Sequence, residues 1–248
     1  MQVELHPATV LHRRDYRDSS LLIELFSRDH GRIGAVARGA RKRWQGVIEP
    51  FSSLLVSWRG RGELLSLNHA ESVGPARHLH GRSIACAFYT NELLLRMTRR
   101  HDPHPELFQR HNATLDQLAA GANPEPVLRL FERDLLHLLG YGLDLEQCSE
   151  DGAPLRRDTR YRYLPQHGAV YFTPSGDGVA VDGATLLALH EGGPFDAAQL
   201  AQLKGLMRSI LAPHVGQRPL HSRELARWYT GQPRRQAEWP PESKELHP

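Results

Sequence analysis

SLLIELFSRDHGRIGAVA, residues 20–37, is the clearest structural signal in the chain. Two mainly apolar segments, 20–27 and 32–37, are separated by the polar run 28–31, which ends in glycine. Short apolar runs bounded by polar residues and glycine are typical of β-strands. The stretch therefore predicts two consecutive strands.

The same pattern extends in both directions from this pair. Further strand-like segments, divided by Gly-bearing turns, lie at 9–14, 51–58, 64–67 and 70–73. Five strands in about eighty residues is the size of an OB-fold, a small barrel. From about residue 82 the apolar residues recur at helical spacing instead. The predicted fold class is therefore α+β: an N-terminal five-stranded OB-fold barrel followed by a mostly α-helical C-terminal domain.

The helical half has a break in the middle. Helical patterns lie at 84–97, 107–118, 126–139, 183–189, 196–211 and 222–229. Residues 143–180 lose this period, and their segments 160–164 and 169–172 predict a short hairpin. The tail from Gly231 is rich in proline and polar residues, which predicts disorder. We therefore predict a barrel domain at 1–80, a helical domain at 81–230 with a small irregular insertion at 143–180, and a disordered tail at 231–248.

Cysteine usage and the start of the chain predict the compartment. The two cysteines, Cys86 and Cys148, form neither a disulfide framework nor a paired metal-ligand spacing. A reducing compartment is the default for such a chain. The first residues lack a signal-peptide pattern, and no apolar run has the length needed to span a bilayer. We expect a cytoplasmic protein.

Positive charge is concentrated around residues 38–44, which read RGARKRW. The span 28–61 contains eight Lys or Arg residues and two acids, a net +6, whereas the whole chain is +3. Such segregation suits a polyanion backbone, although loop arginines can also serve only solubility. Because the predicted barrel is of a type that often binds nucleic acid, we predict nucleic-acid binding.

The residues predicted to contact phosphate are Arg38, Arg41, Lys42, Arg43, Arg59 and Arg61, with Arg13, Arg14 and Arg32 in support. Phosphate contacts carry no sequence information, so binding should be independent of sequence and sensitive to salt. Trp44 either stacks on a base or covers the end of the barrel, and the sequence leaves both roles open.

Signs of catalysis are missing from the sequence. It has no Gly-x-x-x-x-Gly-Lys-Ser/Thr phosphate loop, no paired-histidine metal helix and no Gly-x-Ser-x-Gly turn. Asp134 and His137 are three residues apart on one helix, a spacing that also suits an ordinary surface hydrogen bond. Cys86, Cys148 and the histidines lack the spacing of a four-ligand zinc site. We predict no catalytic residue, no metal site and no cofactor.

The helix at 126–139 offers a candidate partner site. Its apolar stripe contains Val127, Leu130, Phe131, Leu135 and Leu138. Arg129 and Arg133 lie on an adjoining face at i, i+4 spacing. The stripe can simply be core and the arginines solvated. An apolar pocket rimmed by these arginines would instead fit an acidic peptide that ends in a hydrophobic residue and a carboxylate.

An ordered set of short motifs resembles one family along nearly the whole chain. The motifs are Val36–Arg41, Glu49–Phe51, Gly60–Leu64, Tyr89–Leu94, Phe131-Glu132, Leu139–Gly142 and Ser222–Leu225. Together they resemble the bacterial recombination mediator RecO. The resemblance implies an N-terminal OB-fold, a helical C-terminal domain, and binding of single-stranded and double-stranded DNA at the nucleoid. It also implies annealing of complementary strands, contact with the acidic C-terminal tail of single-stranded DNA-binding protein, and cooperation with RecR in loading RecA.

The sequence departs from this family at one place. Many members carry a four-cysteine zinc module after the Leu-Gly-Tyr segment, but here the region Leu143–Phe172 retains only Cys148. We therefore expect a member without zinc. Two other classes stay open: an RNA-binding translation or ribosome-associated protein built on the same barrel, and a metal-dependent hydrolase whose site has no recognisable motif.

Overall fold

The structure, a computed structural model, describes residues 2–222 and 224–225. The predicted tail at 231–248 and most of the predicted helix at 222–229 lie outside the described residues.

The N-terminal part is a closed five-stranded barrel, as predicted. Its strands are β1 (Gln2–Tyr16), β2 (Ser20–Ser27), β3 (Gly31–Ala37), β4 (Ser53–Arg59) and β5 (Leu64–Ser72). They close in the order β1-β2-β3-β5-β4, and the one parallel pair is β3 with β5. β1 extends further in both directions than predicted. The segments predicted at 64–67 and 70–73 form a single strand, because β5 pairs with β4 along its length.

A four-residue helix, α1 (Ala40–Arg43), follows β3 and closes one end of the barrel. It was not predicted. Gly39 begins it with a left-handed φ of 66°, a conformation that glycine adopts without steric cost. Ala40, Trp44 and Ile48 lie in the barrel core, while the three basic residues of α1 face solvent. The basic run therefore lies on a helix that is fixed to the barrel by its apolar side.

The helical part contains α2 (Arg82–Met97), α3 (Pro105–Ala119), α4 (Pro124–Leu138), α5 (Gly183–Glu191) and α6 (Ala197–Val215). The five helices predicted between residues 84 and 211 are thus confirmed, and their ends differ from the predicted ones by a few residues. The N-cap Asn123 accepts a hydrogen bond from the backbone N–H of Glu125, and Pro124 occupies the first turn of α4. Val127, Phe131 and Leu135 are buried, so the apolar stripe of α4 is mainly core. None of the described helices is long and apolar enough to cross a membrane.

The insertion forms a three-stranded sheet in the order β7-β6-β8, from β6 (Arg160–Leu164), β7 (Gly168–Tyr171) and β8 (Val179–Asp182). The predicted hairpin is confirmed, and β8 is a third strand that was not predicted.

The segment before this sheet contains the one cysteine of the insertion. Cys148 is buried, and its backbone N–H donates to the carbonyl of Ala153 at 2.8 Å. The Asp144 carboxylate accepts the N–H groups of Glu146 and Gln147, each at 3.1 Å. Hydrogen bonds to backbone carbonyls and to the Asp144 carboxylate thus stabilise the turns between Asp144 and Ala153. Within the described ranges no three His, Cys, Asp or Glu side chains are arranged to hold a metal ion.

Two glycines of the barrel allow the segment after α2 to pack closely on β3. A Cβ atom at Gly31 would lie 2.1 Å from the carbonyl oxygen of Asp102, and one at Gly34 would lie 2.7 Å from the guanidinium of Arg100. The backbone N–H of His101 donates to the carbonyl of Arg32 at 3.0 Å. The barrel and the helices are therefore joined by direct backbone contact.

A buried polar chain forms a second connection between the two parts. Asn91 of α2 donates to the backbone carbonyl of Leu11 in β1 at 2.8 Å. Its side-chain oxygen lies 2.9 Å from Nε2 of His111 on α3. His111 is fully buried between Phe26 and Phe131. Burial, together with the smaller effect of the nearby Arg77 charge, lowers the pKa of His111 to about 3, so the imidazole is neutral at pH 7 in the folded protein.

Glu92 of α2 holds the last described segment of the chain. Its carboxylate accepts the backbone N–H groups of His221 and Ser222, each at 3.0 Å, and the Ser222 hydroxyl at 2.7 Å. Arg96 pairs with Glu92 at 2.6 Å and donates to the carbonyl of Pro219 at 2.7 Å. Burial raises the pKa of Glu92, but the bonds from Ser222 and His221 and the charge of Arg96 outweigh it and hold the pKa below its ordinary value.

Replacement of Glu92 by glutamine is expected to destabilise the fold by about 1.5–3 kcal/mol, the range for hydrogen bonds to a charged group. The amide keeps the shape of the side chain but loses its charge and one acceptor oxygen. Urea unfolding followed by circular dichroism measures the change. Glu106→Gln on the exposed side of α3 is the matched control and should change stability by less than about 0.5 kcal/mol. Equal stability of both variants would contradict the role of Glu92.

Candidate nucleic-acid interface

The strand register divides the nine predicted cations between opposite ends of the barrel. Arg38 follows Ala37, which pairs with β2 beside the β1–β2 turn. Arg59 pairs with the first residue of β1, at the other end of that strand. The β4–β5 turn, which contains Arg61, lies at the same end as Arg59. The single basic cluster predicted from the sequence is therefore two surfaces, one at the α1 end and one at the far end.

The α1 end carries six cations with exposed side chains, and we call them the α1 surface: Arg14, Arg17, Arg38, Arg41, Lys42 and Arg43. Arg17 was missed by the sequence prediction, although it lies in the turn between the first two strands. In the described part of the chain, five of the six form no ion pair, and the exception is Arg41, which lies 3.0 Å from Asp15. Both side chains of that pair are exposed, at 45% and 73%, and exposed pairs contribute about 0–1 kcal/mol. A phosphate can therefore replace Asp15 as the partner of Arg41 at little cost.

Arg13 and Arg32, two of the supporting cations, are held by internal contacts. Arg13 pairs with Glu49 at 2.8 Å and donates to the carbonyl of Ile48 at 3.1 Å. Arg32 pairs with Glu24 at 3.3 Å, and both side chains are less than one-fifth exposed. Arg32 also donates to the backbone carbonyl of Thr98 at the end of α2, at 3.1 Å. Both guanidinium groups therefore have partners within the chain, and their support of phosphate binding stays a prediction.

Arg59 and Arg61 are exposed at the far end and, within residues 2–222 and 224–225, form no ion pair. Their surroundings carry charge of both signs. Arg28 pairs with Asp29 at 3.1 Å, and this hydrogen bond lowers the pKa of the Asp29 carboxyl. Glu63, two residues after Arg61, is 90% exposed. The far end therefore has fewer exposed cations than the α1 surface, where six cations lie beside two exposed acids, Asp15 and Asp18.

Trp44 lies against the barrel core. Only 6% of the residue is exposed, and its ring packs with the apolar residues that α1 covers. The guanidinium of Arg43 lies over the ring, 4.5 Å from its centroid. Of the two roles left open by the sequence, this placement matches the cover of the barrel end, because base stacking requires an open ring face.

The predicted partner site on α4 is occupied by contacts within the chain. Arg133 lies 2.8 Å from Asp134 and donates to the carbonyl of Leu189 at 2.7 Å. Arg129 is 11% exposed and lies 3.0 Å from the buried carboxylate of Glu132. Both guanidinium groups therefore already face acceptors inside the protein. The hypothesis that they rim an open pocket for a peptide carboxylate does not match this geometry.

Asp134, which lies three residues before His137 on α4, is 2.7 Å from Arg110 of α3. That contact joins two helices and has no feature of a reactive centre. Neither Asp134 nor the cysteines indicate catalysis. The concentrated, solvent-facing charge of the α1 surface is the strongest candidate functional feature of the described chain.

Comparison with known proteins covers almost the whole chain. The family model for the N terminal of recombination protein O matches residues 1–76, and the model for its C terminal matches residues 78–224. The two matches meet close to the predicted domain boundary at residue 80.

Several curated relatives agree with these matches. Proteins named DNA repair protein RecO are 49% identical in Methylococcus capsulatus, over 91% of this chain and 94% of the relative, and 48% identical in Halorhodospira halophila, over 89% and 95%. The protein of that name in Nitrosococcus oceani is 43% identical over 91% of this chain and 93% of its own length.

Proposed function

The chain belongs to the RecO family of DNA repair proteins, and from this premise we propose that it is a non-enzymatic mediator of recombinational DNA repair. In this role it binds single-stranded and double-stranded DNA and anneals complementary strands. The observation that carries the proposal is the α1 surface, where six exposed cations lie on one end of a small barrel.

Annealing requires chiefly that two polyanions approach each other. Cations that contact phosphate release condensed counterions and lower the repulsion between the two backbones. Arginine and lysine side chains on a turn and a short helix can follow a flexible single strand without reading its bases. No bond is made or broken in this process, so a catalytic constellation is not needed.

We propose three protein partners on the basis of family membership: the acidic tail of single-stranded DNA-binding protein, RecR, and, indirectly, RecA. Arg129 and Arg133, our first location for the tail site, both have contacts within the chain, so a tail that bound there would have to compete with those contacts. The tail's negative charge remains complementary to exposed cations elsewhere on the molecule.

An RNA-binding role is the second candidate, because the same α1 surface would also contact RNA phosphates. The two roles differ in which strand is preferred and in whether annealing occurs. A comparison of matched DNA and RNA strands of equal sequence and length separates them.

The test is an annealing assay on complementary DNA strands coated with single-stranded DNA-binding protein, followed by fluorescence energy transfer. We expect the protein to accelerate annealing by at least about tenfold at 0.05 M salt and much less at 0.3 M, because phosphate contacts weaken as salt rises. The acceleration should fall when the coating protein lacks its last residues. No acceleration on any DNA strand, or equal acceleration with RNA, would overturn the proposal.

A further inference from the structure

The outer face of β1, β2 and β3 leads directly into the α1 surface. Side chains alternate between the two faces of a strand, so Arg14 and Tyr16 lie on the same face of β1. Arg14 pairs with Leu22 of β2, and Leu22 pairs with Val36 of β3. Leu22 and Val36 are apolar, yet they lie on the outside of the barrel and are each partly exposed. Leu22 and Val36 therefore form a small apolar strip across β2 and β3, next to Arg14 of β1.

Tyr16 is the aromatic residue of this face. It is the last residue of β1 and pairs with Ser20 across the β1–β2 turn. Its diagonal neighbour on β2 is Leu22, a separation that an aromatic side chain can bridge. Tyr16 is partly exposed, in contrast to Trp44, which is 6% exposed. The aromatic that the sequence assigned to the basic cluster is thus buried, and a different aromatic lies at the surface.

The guanidinium of Arg17 lies over the Tyr16 ring, 5.0 Å from its centroid. Arg17 itself is exposed and has a positive φ of 52°, which turns the chain at the tip of the β1–β2 turn. An exposed cation–π contact contributes only about 0.5–1 kcal/mol. A base can therefore displace the Arg17 guanidinium from the ring face, and the displaced guanidinium can then contact a phosphate. Arg14 and Arg38 complete the positive border of the strip.

We propose that Tyr16 is a base-stacking residue for single-stranded nucleic acid and that Leu22 and Val36 extend its contact surface. This inference rests on the proposed function and adds to it a contact that depends on strandedness. A base in a duplex already stacks on its neighbours, so Tyr16 can pack only against an unpaired base. The phosphate contacts of the α1 surface serve both forms of DNA, whereas Tyr16 favours the single strand.

The test measures the affinity of Tyr16→Ala for a labelled oligo-dT strand and for a duplex of equal length by fluorescence anisotropy. Loss of one stacked base corresponds to about 5- to 100-fold weaker single-strand binding. Duplex affinity should change by less than about twofold, and Tyr16→Phe should bind like the unaltered protein because the ring is retained. Tyr141→Ala, which removes a 49% exposed tyrosine of the helical part, is the matched control.

A second measurement compares the emission of Tyr16→Trp with that of the unaltered protein, which has four tryptophans of its own. The additional emission of the variant should be quenched when oligo-dT binds and should stay unchanged with duplex DNA. Unaltered single-strand affinity of Tyr16→Ala, or equal quenching by both DNA forms, would overturn the assignment of Tyr16. The salt-dependent DNA binding of the α1 cations would still stand in that case. Absence of DNA binding by the unaltered protein would instead contradict the proposed function.

Discussion

Replacement of Arg38, Arg41, Lys42 and Arg43 by alanine together is expected to weaken binding of single-stranded DNA about 200-fold at 0.15 M salt. Each phosphate contact contributes about 0.7 to the slope of log K against log salt concentration for a single strand, so four lost contacts remove about 2.3 log units at this salt. Fluorescence anisotropy with labelled oligo-dT at several salt concentrations gives both the affinity and the slope. The slope should decrease by about 2.8, and the difference in affinity should disappear toward about 1 M salt.

Two further variants make this result specific to the α1 surface. Arg38→Ala/Lys42→Ala and Arg59→Ala/Arg61→Ala remove the same charge from opposite ends of the barrel, and we expect the larger loss from the first pair. A triple variant that retains Arg43 preserves the cation over Trp44 and controls for local loss of packing. Equal losses from both pairs would show that net charge alone governs binding. An unchanged salt slope in the quadruple variant would contradict phosphate contact at the α1 surface.

The sequence was sufficient for the barrel and for most helices because each element has a clear local pattern. The mainly apolar run 20–27 forms β2, and the helical spacing at 126–139 corresponds to α4. The sequence was not sufficient for α1, since four residues contain too few apolar positions to define a helical period. β8 was missed for a related reason: Val179–Asp182 is short and directly precedes a helix.

The candidate site was harder to predict than the fold. The basic residues of the site can be read from the sequence, but the side chains that contact them in the folded protein cannot. Arg32 and Arg38 have the same charge, yet Arg32 is paired with Glu24 while Arg38 is exposed without a carboxylate in the described part of the chain. That difference depends on strand register, which brings together residues that are distant along the chain. The same holds for Trp44, whose burial follows from the way α1 closes the barrel. Local composition predicted the kind of site, and tertiary contacts selected its members.

Acidification from pH 7 to pH 5 is expected to lower the free energy of unfolding by roughly 2 kcal/mol through His111 alone. In the unfolded chain this histidine has an ordinary pKa of about 6.5, so it binds a proton as the pH falls below that value. In the folded protein its pKa is about 3, so it stays neutral over the whole interval. The unfolded state therefore binds more protons between about pH 6.5 and 3, and each pH unit in that window lowers stability by about 1.4 kcal/mol.

His111→Gln isolates this contribution. Glutamine retains an N–H donor that can reach the side-chain oxygen of Asn91, but it does not titrate, so the variant should be less stable at pH 7 and should depend less on pH below it. Urea unfolding at half-unit intervals from pH 7 to 5 gives the difference in slope, and His78→Gln, at an exposed position, is the matched control for loss of one imidazole.

NMR of the His111 ring provides an independent measure of the same property. The Cε1 proton resonance of His111 should not shift between pH 7 and 5, because burial holds the pKa of this ring at about 3. Because His111 is linked through Asn91 to the carbonyl of Leu11, a proton on this ring would place a charge at the contact between the barrel and the helices. That charge has no carboxylate partner among the contacts described for His111, so its burial would be strongly unfavourable. Titration of His111 near pH 6.5 in the folded protein would show that this contact is open to solvent, and the predicted acid sensitivity would then be absent.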